Sequence, residues 1–237
     1  MTLRERGVAF AGAGGHTREA EAPAVLPLGE GVRAVILAAA TPDSGVPEDW
    51  EARLDRPGVN LVNRFSDAEL ARLREAKNRA CRRQDLSIAS LHWGGNWGYR
   101  VPPSHRRFAH RLIDQAGFDV VFGHSSHHPK EIEIHSGKLI LYGAGDLIND
   151  YEGIGGHSEY DPDLGLLYFA GVDPSSGILT RLEIVPFVRR RLRLEYADEP
   201  RTSRVAELLA REARRNGTAL EFRIAGDRGA PVLQAVW

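Results

Sequence analysis

Residues 86–129 read LSIASLHWGGNWGYRVPPSHRRFAHRLIDQAGFDVVFGHSSHHP. Two short apolar runs, 86–91 and 119–122, flank a stretch in which Phe108, Leu112, Ile113 and Ala116 recur at helical spacing. Strand, helix and strand thus follow one another, with Ser104 placed to cap the helix and Gly117 to stop it. His92 directly follows the first run, two residues before Gly94, and His124 lies just past the second, beside Gly123. Ligands collect at strand ends in α/β sheets, so this segment indicates both the fold class and the place to look for chemistry.

Outward from that segment the same grammar continues. Residues 8–10 and 32–38 are short, apolar and β-branched, and read as buried strands. Ser66 and Glu69 have capping-box spacing, and Leu70, Leu73, Ala76 and Ala80 give a helix reaching about residue 82. Strands are expected at 131–134 and 138–142, joined by His135-Ser136-Gly137 with hairpin chemistry. Past residue 161 the texture turns mostly to strands: 164–172 and 178–186 flank the turn Asp173 to Gly177, and 187–196 continues with alternation. A last helix over 203–216 buries Val205, Leu208, Leu209 and Ala213, pairs Glu207 with Arg211, and ends at Gly217. Residues 3–6 read as a helix end stopped by Gly7, and 41–59, rich in Pro, Gly and Asp, as a long functional or packing loop. The expected fold is α/β, a multilayer sandwich of sheets flanked by helices. A single domain over 1–237 follows, with a core over 3–186 and a β-rich and helical extension over 187–237.

The 237 residues carry 31 Lys+Arg against 32 Asp+Glu, a net charge of −1, which argues against nonspecific polyanion binding and gives no reason to expect a nucleic acid partner. At 42% hydrophobic and 27% charged the chain has ordinary globular composition, which argues against an intrinsically disordered protein. Lys77, Lys130 and Lys138 are the only lysines, an arginine bias that reads as codon usage. Cys81 stands alone, so neither an intrachain disulfide nor a multi-cysteine metal site can form, and it is expected to pack as a small hydrophobe. No stretch approaches the roughly 18 apolar residues of a membrane helix, and as written the chain reads as cytoplasmic.

Seven of the nine histidines fall between His92 and His135. Gly123-His124-Ser125-Ser126-His127-His128-Pro129 puts several imidazoles on one short loop, with Gly123 read as granting a backbone conformation that larger residues resist. Imidazoles converging from two strand ends suit a divalent metal, and His92, His124 and His127 are the candidate ligands, His128 pointing either toward or away from them. His105 sits on the apolar face of its helix and His110 opposite, so packing and solvent are their expected roles. His16 and His135 read as loop or turn residues, and His157 has no assigned partner. Asp146, Asn149, Asp150 and Glu152 follow the 138–142 strand, and a carboxylate there can accept the second N–H of a metal-bound imidazole or ligate directly. Asp146 is the candidate for that supporting role; Asp150 and Glu152 fit a solvated turn equally well. Trp93, Asn96, Trp97, Tyr99 and Arg100 form a dense aromatic and polar segment, with Asn96, Trp97 and Arg100 as candidate substrate contacts. Arg189, Arg190, Arg191 and Arg193 are expected on a solvated face. Gly12 to Gly15 is too short for a dinucleotide fingerprint, and Ser125 lacks a hydrolase nucleophile elbow.

His92-Trp93-Gly94, Gly123-His124-Ser125-Ser126-His127, Ile132-Glu133 and Leu139-Ile140-Leu141-Tyr142-Gly143-Ala144-Gly145-Asp146, in that order and spacing, resemble the CapA family of capsule synthesis, linked to poly-gamma-glutamate. That family's domain is similar to a calcineurin-type metallophosphatase, a sandwich of two mixed sheets flanked by helices. The resemblance implies a binuclear site for Mn, Zn, Fe or Mg, with His92, His124 and His127 as nitrogen ligands and Asp146 and Glu133 behind them. Two residues separate His124 from His127 here where the family pattern has one. The family's earlier half, with acidic ligands and an Asn-Asn-His segment, is not in this sequence, which is therefore expected to be N-terminally incomplete. A complete site would lower the pKa of bound water from 15.7 to about 7 and hydrolyse a phosphoester or a gamma-glutamyl amide, the substrate being a small molecule or polyglutamate. The alternative is a noncatalytic accessory or binding subunit of a polymer synthesis or export complex, with the fold but without the chemistry.

Overall fold

The computed structural model describes residues 3–149, 155–227 and 230–237. In chain order its elements are β1 (Ala13–Gly14), α1 (Thr17–Ala20), β2 (Ala24–Gly29), β3 (Val32–Ala40), β4 (Gly58–Val59), α2 (Asp67–Ala80), β5 (Leu86–His92), α3 (Pro103–Asp114), β6 (Val120–His124), β7 (Ile132–His135) and β8 (Lys138–Leu141). There follow β9 (Leu164–Val172), β10 (Leu179–Arg190), β11 (Arg193–Tyr196), α4 (Glu199–Arg214), β12 (Glu221–Asp227) and β13 (Ala230–Val236). The architecture is α/β.

Among the described residues one sheet has the order β2-β3-β5-β6-β8-β7, its four inner strands parallel and its two edges antiparallel. Parallel strands need both faces covered, and their side chains alternate between two cores. Leu37, Ala89, Leu91, Val121 and Ile140 pack under α2 and α3 with Leu73, Phe108 and Leu112. Leu139 and Leu141 turn the other way and join Leu166, Leu182, Ile184, Leu209 and Leu233 of the antiparallel sheet and α4. That second sheet has the order β11-β10-β13-β12, with β9 also on β10, and β1 pairs with β4 as a small separate ribbon. No helix among the described residues is long and apolar enough to cross a membrane.

Several expectations are corrected. Residues 8–10 form no strand; the edge beside β3 is taken by β2, joined to it by Glu30-Gly31, both at positive φ. β2 contains Pro27, which an edge strand tolerates because no partner needs its missing N–H. Pro103 rather than Ser104 opens α3, since a proline at the first helical position has the right φ and loses no hydrogen bond. The expected strand over 187–196 is a hairpin: Arg191 and Leu192 both adopt positive φ and reverse the chain between β10 and β11. Asp198 caps α4, so that helix begins four residues before Ser203, and Arg211 donates to Glu212 rather than pairing with Glu207. β12 and β13 add an antiparallel pair that the sequence reading did not include, although Glu221 to Ile224 alternates polar and apolar residues.

Candidate functional site

β5 and β6 run parallel in a register that sets His92 beside His124 at their C-terminal ends. The two imidazoles meet through Nδ1 atoms 3.2 Å apart, and His124 Nε2 lies 3.1 Å from Ser90 Oγ. Two nitrogens each roughly 2.0–2.1 Å from a shared cation sit about 3 Å apart, so this spacing fits two ligands of one ion. Ser90 suits that role: in the tautomer where its hydroxyl accepts the Nε2–H of His124, the His124 Nδ1 lone pair faces His92. Burial holds His92 below the ordinary histidine pKa, with help from nearby His127, and takes His124 down to about 4. Both rings are therefore neutral at physiological pH, the form that ligates metal.

His127 is held on the neighbouring loop, its Nδ1 2.8 Å from an Asp146 carboxylate oxygen that also accepts from Asn149 Nδ2. Its donor atoms do not join those of His92 and His124 in a tight trio: among the described residues the group of three within 4.8 Å is His110, Glu133 and His135. His128 is fully buried, its pKa depressed to about 4 by burial, and it stacks on Trp97 and Tyr160. Trp97 also stacks on His157 at 4.0 Å, giving that histidine a partner, and lies 5.4 Å from His127. The Asn96 carbonyl accepts from the His127 backbone N–H, so Trp97 and Asn96 form one wall beside the His127–Asp146 pair. Arg100 is exposed. Glu133 faces away along β7, bonded to Arg106, His110 and Tyr142. Asp150 and Glu152 lie outside the described residues.

Three participants escaped the sequence reading. Asp43 follows β3, the strand next to β5, and accepts from His105 Nε2 at 2.7 Å, from the Gly94 N–H at 3.2 Å and from Thr41 Oγ. Burial works against its charge, yet those hydrogen bonds and the His105 charge together hold its pKa well below the carboxylate range. Its position three residues past a strand end was the available clue. Arg189 is 4% exposed, not solvated, and its guanidinium donates to the carbonyls of Asp146 at 2.6 Å and of Pro162, fixing the loop that carries Asp146. Lys130 reaches 2.9 Å to the Gly95 carbonyl, tying the His124 loop to the His92 loop, and burial lowers its pKa. Gly123 is also not what it was expected to be, for its φ is ordinary; it is needed because a Cβ would lie 2.4 Å from Trp93 Nε1 and 2.6 Å from the Tyr142 carbonyl.

Strand-end histidines in this order, with an aromatic loop after the first and an aspartate loop after β8, coincide with a sequence match over residues 1–151 to the family described as Bacterial capsule synthesis protein PGA_cap. The chain belongs to the PGA_cap family. A Mycobacterium tuberculosis (strain H37Rv) member, "Probable polyglutamine synthesis accessory protein Rv0574c", is 45% identical over 216 residues, 91% of this chain and 57% of that protein. "Capsule biosynthesis protein CapA" of Bacillus anthracis is 26% identical over 99 residues, 42% of this chain and 23% of that protein. "PGA biosynthesis protein CapA" of Bacillus subtilis (strain 168) is 28% identical over 101 residues, 43% of this chain and 25% of that protein. The chain thus spans little more than half the length of even its 45%-identical relative. The PGA_cap match covers the six-stranded sheet and the His92, His124 and His127 loops and stops before β9.

Proposed function

We propose that this PGA_cap chain serves the synthesis or turnover of a glutamyl polymer through a divalent-metal site anchored on His92 and His124, with hydrolysis of a phosphoester or gamma-glutamyl amide as its chemistry. The observation that carries the reading is the 3.2 Å approach of two buried, neutral imidazoles at adjacent parallel strand ends. A bound divalent cation lowers the pKa of its water and polarises a carbonyl or phosphoryl oxygen. Around it this chain does the rest. Asp146 holds His127 through Nδ1, orienting the ring so that its other nitrogen can give or take a proton at the leaving group. Trp97 and Asn96 orient substrate beside that ring, Lys130 ties the His124 loop to the His92 loop, and Arg189 fixes the loop that carries Asp146.

A second reading is favoured by the absence, among the described residues, of a third donor close to both His92 and His124. In that reading the chain is a noncatalytic accessory subunit in a polymer-synthesis complex, a role that the printed name of the 45%-identical relative also suggests. One experiment separates the two. The purified chain, loaded with Mn or Zn and dialysed, is expected to retain metal that His92→Ala and His124→Ala lose, and to hydrolyse p-nitrophenyl phosphate or gamma-glutamyl p-nitroanilide in a His127-dependent way. Equal metal content in all three proteins refutes the site. Retained metal without hydrolysis of either compound favours the accessory role.

A further inference from the structure

α3 and β7 lie against each other with matched spacing. Four residues of helix advance about 6.0 Å and two residues of strand about 6.6 Å. Arg106, His110 and Asp114, four apart on one helix face, therefore stand opposite Glu131, Glu133 and His135, two apart on one strand face. The contacts follow that ladder: Arg106 donates to Glu131 at 2.7 Å and to Glu133 at 3.0 Å, His110 Nε2 meets Glu133 at 2.8 Å, and His135 Nε2 meets Asp114 at 2.8 Å. The His110 and His135 rings stack at 3.8 Å, only 4° from parallel.

Two features go beyond a structural ladder. Glu131 and Glu133 are almost wholly buried and share a single guanidinium, Arg106, so two buried carboxylates face one fixed positive charge, while half-exposed Asp114 holds His135. Buried charge is costly unless it is paired, so a cation at Glu133 supplies the positive charge that Arg106 alone does not. A ligand atom from each of His110, Glu133 and His135 also lies within 4.8 Å of the other two, and the histidine side chains are 30% and 21% exposed, so a cation can enter from solvent above the buried carboxylate. Two imidazoles and one carboxylate form a donor set for a borderline divalent ion, zinc above all, rather than for calcium or magnesium.

We propose that His110, Glu133 and His135 form a divalent transition-metal site, separate from the His92 and His124 pair and built on the opposite end of the sheet, with Asp114 positioning His135. Rotation of one stacked ring turns both nitrogens onto the ion, which replaces the direct His110–Glu133 hydrogen bond and releases its proton to solvent. The bound ion clips edge strand β7 to the C-terminal end of α3.

The test uses the full chain carrying His92→Ala and His124→Ala, stripped with chelator and titrated with zinc chloride or, for its visible spectrum, cobalt chloride. About one equivalent is expected to bind, with tetrahedral cobalt bands and a higher melting temperature. Adding His135→Gln, at an exposed hairpin end, is expected to weaken binding at least about tenfold while the circular dichroism spectrum is unchanged, and His110→Asn to do the same. No uptake by the double variant, or uptake indifferent to both added substitutions, overturns the proposal. Because that protein has no His92 or His124, this outcome is independent of the fate of the catalytic reading.

Discussion

Replacing Gly123 by alanine places one methyl group where three atoms already stand. The new Cβ would lie 2.4 Å from Trp93 Nε1, 2.6 Å from the Tyr142 carbonyl oxygen and 2.7 Å from that of Leu141, each 0.7–1.0 Å inside an ordinary 3.4 Å contact. None of the three can yield alone. Trp93 is 2% exposed and donates Nε1–H to the Tyr142 carbonyl at 3.1 Å, and Leu141 is paired with Phe122 across β6 and β8. Overpacking of this kind costs roughly 1–3 kcal/mol, and loss of the Trp93 hydrogen bond adds about 1 kcal/mol. Gly123→Ala is therefore expected to lose about 2–4 kcal/mol, a large part of the roughly 5–15 kcal/mol that holds a domain together. Urea denaturation followed by tryptophan fluorescence and circular dichroism measures the loss. Because His124 is the next residue, the variant is also expected to weaken any metal binding at the proposed His92 and His124 site. A loss under about 1 kcal/mol would mean that the strands part easily there and that Gly123 is not a steric requirement.

Acid stability tests the buried imidazoles. His124 and His128 have folded pKa values near 4, below the ordinary 6.5, so the unfolded chain binds protons first and stability falls as pH drops from about 6.5 toward 4, by up to about 1.4 kcal/mol per pH unit for each group. The denaturation midpoint is expected to be flat above pH 7 and to fall through that window, with His128→Leu removing part of the slope; a midpoint independent of pH down to 4 would contradict this. Asp43→Asn exchanges a carboxylate for a weaker acceptor of the His105 and Gly94 bonds and is expected to cost about 1–2 kcal/mol in urea, discounted for its exposure. Stability equal to the parent across pH 5–8 would remove Asp43 from the site's framework. Arg189→Lys keeps the charge but not the fork that reaches the Asp146 and Pro162 carbonyls, and should cost about 2 kcal/mol and raise amide exchange in the Asp146 loop. Unchanged exchange there would show that the loop holds itself.

What the sequence determined by itself is local. Apolar runs of strand length, Ser66 with Glu69, Gly117 and Ser136-Gly137 set α2, the end of α3 and the β7–β8 hairpin, because capping and turn chemistry act over a few bonds and are written in neighbouring residues. The same reading put His92 and His124 at strand ends, since the period of a strand and the glycine beside it are visible one residue at a time. Whether those strand ends adjoin was decided by pairing across 32 residues, which only the assembled sheet settles. Asp43 reached His105 across 62 residues and Arg189 reached Asp146 across 43, contacts that no periodicity encodes. Gly123 shows the division most sharply: its sequence suggests a backbone need, but its φ is ordinary, and what excludes a side chain is the indole and two carbonyls that folding brings against it. Conformational preference belongs to a residue and its neighbours, whereas space, burial and the charge an imidazole can hold belong to whatever the tertiary structure packs around it.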